Sequence, residues 1–247
     1  MIPKDDLLRG PLRRDGRLIV SYPKSGRTWL RFAMAQFAID MTITHAGAST
    51  NRREVGRPYK GIPEQARGLP LVFLYRDPID TAVSMFYQIT RRDLPKGSGR
   101  WYRMYLPLLL RGALPPQEIN SFVRNPLYGV EKVCVFNRAW LDHLERRTDC
   151  LALRYEDMRA NPAEGFQQLL DFWGETAATG AELADASSFD RMKAAERGSS
   201  QDTILTPSKQ SDPESQKVRR GKVGGYADEL SADTIAACKA IAARYGF

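Results

Sequence analysis

Apolar residues fall into two kinds of run along this chain. Leu18-Ile19-Val20 and Leu71-Val72-Phe73-Leu74-Tyr75 have no polar break, which is the pattern of strands covered on both faces. Cys150-Leu151-Ala152-Leu153-Arg154-Tyr155 reads as another buried strand, and Thr42-Ile43-Thr44-His45 as a short β-rich run entering the small-residue turn Ala46-Gly47-Ala48-Ser49. Between these runs the apolar positions change period. Leu30, Ala33, Met34, Phe37, Ala38 and Met41 recur at helical spacing, as do Phe166, Leu169, Leu170 and Trp173 further on.

Start and stop signals agree with that division. Asp77 precedes Pro78 as N-cap and first helical residue, Asn161-Pro162-Ala163-Glu164 opens the helix that Gly174 ends, and Ser231 starts a last helix carrying Ile235, Cys238, Ala242 and Tyr245. Strands alternating with helices predict an α/β fold, a three-layer sandwich around a central, mainly parallel sheet. Ligands bind such sheets outside the carboxyl ends of the strands. Lys24, His45, Arg76 and Tyr155 all fall there.

Two stretches break the alternation. Residues 91–128 mix basic residues, glycines, prolines and the aromatics Trp101, Tyr102, Tyr105 and Tyr128, and residues 196–217 are polar and rich in Ser, Gln, Asp and Pro. They read either as substrate-facing caps or as plain surface excursions. A length of 247 residues suits one domain over 1–247 that includes them.

Charge and cysteine content narrow the class of partner. Lys plus Arg number 37 against 29 Asp plus Glu, a formal net charge of +8, which favours an anionic ligand, nucleic acid or an acidic membrane surface. The longest apolar stretches, such as Leu106-Pro107-Leu108-Leu109-Leu110, are too short to span a bilayer, and Met1 to Asp6 lack a signal-peptide core. A cytoplasmic protein without an integral membrane segment is expected. Cys134, Cys150 and Cys238 form no metal-binding or redox pair, so no metal site is predicted.

The candidate chemistry begins at Ser21-Tyr22-Pro23-Lys24-Ser25-Gly26-Arg27-Thr28-Trp29, a tight basic turn between a strand and a helix. Unpaired N–H groups and the dipole at a helix start attract a phosphate or sulfate, and Lys24 adds a full charge. The lysine precedes the glycine, so the Walker order G-x-x-x-x-G-K-[ST] is absent. The turn resembles instead the Y-P-K-S-G-T-T-W loop of sulfotransferases that use 3′-phosphoadenosine 5′-phosphosulfate (PAPS), with Arg27 in place of a threonine. The resemblance implies a P-loop-like phosphosulfate site built from Lys24, Ser25, Gly26, Arg27 and Thr28. It also implies Trp29 stacked on adenine, and Ser25 placed to hydrogen-bond the cofactor or Lys24.

Further matches follow in the family's order. Arg76 at a strand end and Ser84 eight residues on resemble its 3′-phosphate pair. Arg219-Arg220-Gly221-Lys222-Val223-Gly224-Gly225-Tyr226 is similar to its C-terminal R-K-G-x-x-G-D-W segment, with Gly225-Tyr226 where Asp-Trp is usual. Arg219, Arg220 and the turn at Gly221 are thereby expected over the 3′-phosphate, since arginine's fork matches phosphate and glycine lets backbone approach an anion. Tyr155, Ser187 and Phe189 resemble adenine contacts; Tyr155 and Phe189 read equally as core aromatics.

Sulfuryl transfer needs a base at the acceptor and positive charge at the leaving oxygen. His45 is the expected base and Lys24 the cation. His45 lacks the K-T-H-x-P context of the cytosolic family members, and Glu54 is the second candidate for base, because some carbohydrate sulfotransferases use a glutamate instead. His143 lies at the edge of the helical face Val133, Phe136, Trp140, Leu144, where no chemistry is expected. The implied activity is sulfuryl transfer from PAPS to a hydroxyl or amine of a small-molecule, lipid or saccharide acceptor. Two other readings are kept: a Mg²⁺-requiring nucleotide kinase, and a basic nucleic-acid-binding module.

Overall fold

Strands β1 (Leu18–Ser21), β2 (Thr42–Thr44), β3 (Leu71–Tyr75) and β4 (Cys150–Arg154) form one sheet in the order β2-β1-β3-β4. All of their pairings are parallel, with Val20 opposite Thr44 on one side and Phe73 on the other, and Leu74 opposite Leu153. The computed structural model describes residues 17–48, 55–93, 106–198, 205 and 221–247. Its helices include α1 (Arg27–Ala35), α2 (Glu64–Arg67), α3 (Pro78–Tyr87), α4 (Ile119–Arg124), α5 (Val130–Leu144), α6 (Tyr155–Ala160), α7 (Pro162–Trp173), α8 (Gly180–Ala186), α9 (Phe189–Gly198) and α10 (Ala232–Ala243).

Side-chain alternation along the strands builds two cores. Leu18, Val20, Leu71 and Phe73 point into a cluster with Val83 and Phe86 of α3, Phe136 and Trp140 of α5 and Cys238 of α10. Ile19, Val72, Leu74 and Leu153 point the other way, onto Leu30 and Met34 of α1, Phe166 and Leu170 of α7 and Leu183 of α8. The result is the expected three-layer sandwich. Among the described helices none is long and apolar enough to cross a membrane.

The first core is aromatic, with the Phe136 ring within 6.3 Å of the ring centroids of Tyr22, Tyr59, Phe73 and Trp140. Phe136 is fully buried. Truncation there removes contacts to four rings and leaves a cavity between sheet and helix. Phe136→Ala should cost about 3–5 kcal/mol, read as a lower midpoint in urea unfolding; a shift below about 1 kcal/mol would mean the cluster collapses around the gap.

Three local differences from the sequence pattern have physical causes. The stripe from Leu30 to Met41 outruns its helix: α1 stops at Ala35, and Ala38 takes a left-handed φ of 54° that turns the chain toward β2. Ile39, Phe37 and Met41 still pack on the second core, so the periodicity reports burial rather than helix. Strand β4 is an edge strand in the described sheet, with Leu153 alone fully buried. Asn161 joins α6 to α7 but its side chain makes no capping bond. Other signals act as read: the Asp77 carboxylate accepts Ile79 and Asp80 N–H at 2.9 and 2.8 Å, and Gly174 ends α7 at φ 62°.

The strand order has one functional consequence. From β1 the sheet grows to β2 on one side and to β3 on the other, so the crossovers diverge and leave a crevice between the ends of β1 and β3. Residues 22–26 and Arg76 border that crevice.

Candidate active site

Each strand delivers one candidate residue at its carboxyl end: β1 the turn containing Lys24, β2 His45, β3 Arg76 and β4 Tyr155. The turn after β1 is a tight reversal. Ser25 N–H donates to Tyr22 O at 3.3 Å, and Lys24 and Gly26 take left-handed φ values of 75° and 102°. Glycine is required at the second position for a further reason, since a Cβ there would lie 2.5 Å from Tyr155 Cδ2. Gly26 then caps α1, its carbonyl accepting Trp29 N–H at 2.9 Å, and Arg27 and Thr28 form the first turn. The amides at this helix start are suited to an anion, with no acidic side chain in the first turn to compete. The Ser25 hydroxyl is fully buried and has no hydrogen-bond partner among the described residues.

Arg76 joins the pieces. Its Nη1 reaches Lys24 O and Ser84 Oγ, both at 3.5 Å; its Nη2 reaches Lys222 O at 3.4 Å and Asp80 Oδ2 at 3.2 Å. The guanidinium carbon stands 4.7 Å over the centre of the Tyr155 ring. Behind it, Asn137 Nδ2 donates to Arg76 O at 3.3 Å and Glu156 Oε1 accepts Asp77 N–H at 3.0 Å, fixing the end of β3. The sequence pairing of Arg76 with Ser84 is thus realised in space, with the Gly221 turn beside it.

A second set of contacts surrounds Trp29. Its indole N–H points at Ser187, whose hydroxyl and carbonyl accept at 2.9 and 3.1 Å. Tyr155 and Phe166 meet the ring edge-on, and the Arg159 guanidinium lies 5.3 Å from its centre. Arg159 Nη2 also donates to Gly221 O at 3.5 Å, and a Cβ on Gly221 would lie 2.9 Å from the Phe189 ring. Trp29, Tyr155, Ser187, Phe189 and Gly221 therefore form one neighbourhood. Tyr155 is a core aromatic that also borders the candidate site: it is largely buried, yet it carries Arg76.

His45 is buried just past β2, on a turn where Ala46 and Gly47 are both left-handed. Its Nδ1 lies 2.8 Å from Ser21 O. A carbonyl only accepts, so Nδ1 carries the proton and Nε2 is left as a lone-pair nitrogen. Burial lowers the His45 pKa well below the usual 6.5, the positive charge of Arg27 lowers it further, and the Ser21 bond opposes both. The ring is neutral near pH 7, as a base must be. Lys24 Nζ lies 3.5 Å from Gln88 Oε1, where α3 runs into a π-helical turn over Gln88–Asp93. His143 sits in the last turn of α5 with Nε2 against Arg67 O at 3.0 Å, remote in sequence and contacts from these groups.

Arg219, Arg220 and Glu54 lie outside the described residues. Asp80, Gln88, Glu156 and Arg159 were not singled out in the sequence. A signal existed for one of them: Asp80 stands four residues after Arg76, in the first turn of the helix that Asp77-Pro78 opens, within reach of an ion pair.

Comparison with known proteins accords with this geometry. The profile of the family described as Sulfotransferase domain matches residues 34–244. That match starts inside α1 and does not include the glycine turn. No curated protein matches the chain at a significant level. Among solved structures, mouse sulfotransferase SULT7A1 complexed with PAP superposes with a TM-score of 0.60 at 19% identity, covering 96% of this chain and 85% of that one. Retinol dehydratase in complex with androsterone and inactive cofactor PAP gives 0.63 at 15% identity, over 97% of this chain and 83% of the other. Retinol dehydratase with retinol and PAP gives 0.60 at 16%, with coverage of 97% and 83%.

Proposed function

We propose that this chain, which belongs to the sulfotransferase family and is PAPS-dependent, moves the sulfuryl group to a hydroxyl or amine with His45 as base and Lys24 at the leaving phosphate. PAPS supplies an activated sulfur whose bond to the 5′-phosphate oxygen breaks as the acceptor oxygen bonds to it, releasing 3′-phosphoadenosine 5′-phosphate (PAP). His45 Nε2 takes the acceptor's proton while Nδ1–H stays on Ser21 O. Lys24 and the amides at the start of α1 hold the negative charge that appears on the departing oxygen.

The residues present fit such a donor. The buried Ser25 hydroxyl has a lone pair and a proton to give, and the helix start offers N–H groups without an acidic competitor. Arg76 contacts Lys24 O, Ser84 and Lys222 O only at 3.4–3.5 Å, distances at which phosphate oxygens are better partners. Trp29, Tyr155, Ser187 and Phe189 would bound the adenine. The observation that carries the reading is Arg76 Nη1 lying between Lys24 O and Ser84 Oγ, which sets receptors for a 5′- and a 3′-phosphate side by side.

Calorimetric titration tests this directly. PAP should bind at least about tenfold more tightly than AMP, the difference expected of one charge-assisted phosphate contact, and Mg·ATP should gain nothing from magnesium. Equal affinity for PAP and AMP would remove the 3′-phosphate assignment. For the acceptor, retinol dehydratase was crystallised with androsterone or retinol, so hydroxylated small molecules are the first class to assay, followed by lipids and saccharides, with radiolabelled PAPS.

A further inference from the structure

We infer that Asp80 is a positioning residue that docks the 221–226 turn onto Arg76. The inference rests on the reading of Arg76 as ligand of the 3′-phosphate. Asp80 lies in the first turn of α3 and is 3% exposed, with three donors converging on its carboxylate. Oδ2 accepts Gly224 N–H at 2.8 Å and pairs with Arg76 Nη2 at 3.2 Å, while Oδ1 accepts Tyr226 N–H at 3.2 Å. A buried carboxylate is tolerated only when its oxygens are satisfied in this way.

Two arginines also meet the carbonyls of this turn, and Tyr226 packs on the first core. The turn's Lys222–Asp228 pair, at 2.7 Å, is half exposed at both ends and so contributes little. Gly224 takes φ 69° and caps the 3₁₀ turn Gly225–Asp228, which aims two amides of one short segment at one carboxylate. Lys222 O then meets Arg76 Nη2 at 3.4 Å, and Gly221 O meets Arg159 at 3.5 Å. Asp80 thus fixes the rotation of the guanidinium and the height of the turn together, with the Tyr155 ring supporting the guanidinium from its face.

Removing the carboxylate itself has two opposed effects on a phosphate: the turn loosens, but a negative charge also leaves. The turn's own amide separates them. Tyr226→Pro deletes the N–H while leaving Asp80 charged, and proline suits the second residue of a 3₁₀ turn. Tyr226→Ala deletes the ring but keeps the amide. In Tyr226→Pro the PAP-over-AMP affinity ratio should fall about tenfold, as for one lost bond to a charged group. KM for PAPS should rise with it, while kcat at saturating PAPS stays within about twofold. Tyr226→Ala should keep the ratio within about threefold of the parent. In full-length Asp80→Asn, hydrogen exchange at the Gly224 amide should accelerate at least about tenfold.

A wild-type ratio in Tyr226→Pro, or unchanged Gly224 exchange in Asp80→Asn, would overturn the role of Asp80; if one variant fails to fold, the other decides. Arg76→Ala with an undiminished ratio would instead overturn the parent reading of the 3′-phosphate site.

Discussion

His45→Asn is expected to lower kcat by about 10²–10⁴-fold, the range for losing a positioned general base, while PAP affinity stays within about twofold. Asparagine is the informative replacement because its side-chain N–H₂ can still donate to Ser21 O, where His45 Nδ1 lies at 2.8 Å, so the turn after β2 keeps its anchor. The Nε2 lone pair is lost together with the far side of the ring. Titration of PAP by calorimetry and turnover with radiolabelled PAPS separate the two effects, and undiminished turnover would move the base to another residue, with Glu54 next to test.

The protonation of His45 sets a pH signature. Burial first, then Arg27, depress its folded pKa well below the unfolded value near 6.5. The acid limb of kcat/KM for the wild type should therefore lie well below pH 6.5 and disappear in His45→Asn. Stability follows with a definite sign. Below pH 6.5 the unfolded chain binds a proton at this histidine that the folded chain resists, so the protein loses stability as pH falls from 6.5 toward the folded pKa. A wild-type limb centred at or above 6.5 would show that another group titrates.

Lys24→Ala is the second large effect expected, a loss of about 10²–10³-fold in kcat, comparable to removing one donor from a preorganised anion site. The turn should survive, because its shape depends on the Ser25-to-Tyr22 bond and on Gly26, and an alanine tolerates φ 75° about as well as lysine does. Circular dichroism should be unchanged. Lys24→Arg should recover part of the rate, since charge returns on a differently shaped head group. If Lys24→Ala weakens PAP binding and leaves kcat intact, the ammonium serves binding alone and the leaving oxygen is stabilised by backbone amides.

Much of this architecture was legible because its signals are local. The turn from Ser21 to Trp29, the Asp77-Pro78 start and the Ser231 cap each act through bonds within a few residues, and each forms as expected. Arg76 and Ser84 meet because α3 starts directly after Arg76 and carries Ser84 two turns along, on the face that looks back at the end of β3. What stayed hidden depends on distance or on packing. Nothing in the apolar run of β4 reports that it lies at an edge, and nothing in the stripe through Met41 reports that Ala38 reverses the chain. Asp80 binds amides 144 and 146 residues away, contacts that no spacing rule can reach. Arg159 meets Trp29 only because α6 follows directly on β4.

Tyr155 touches Gly26 on one strand end and bears Arg76 on another. One rigid ring therefore acts as a spacer gauge between the glycine turn and the arginine, set by hard van der Waals contact instead of by flexible side chains. If Gly26 and Arg76 hold the two phosphates as proposed, moving the second phosphate from the 3′ to the 2′ oxygen changes the span that the ring sets, and such a nucleotide should bind more weakly than PAP in calorimetric titration.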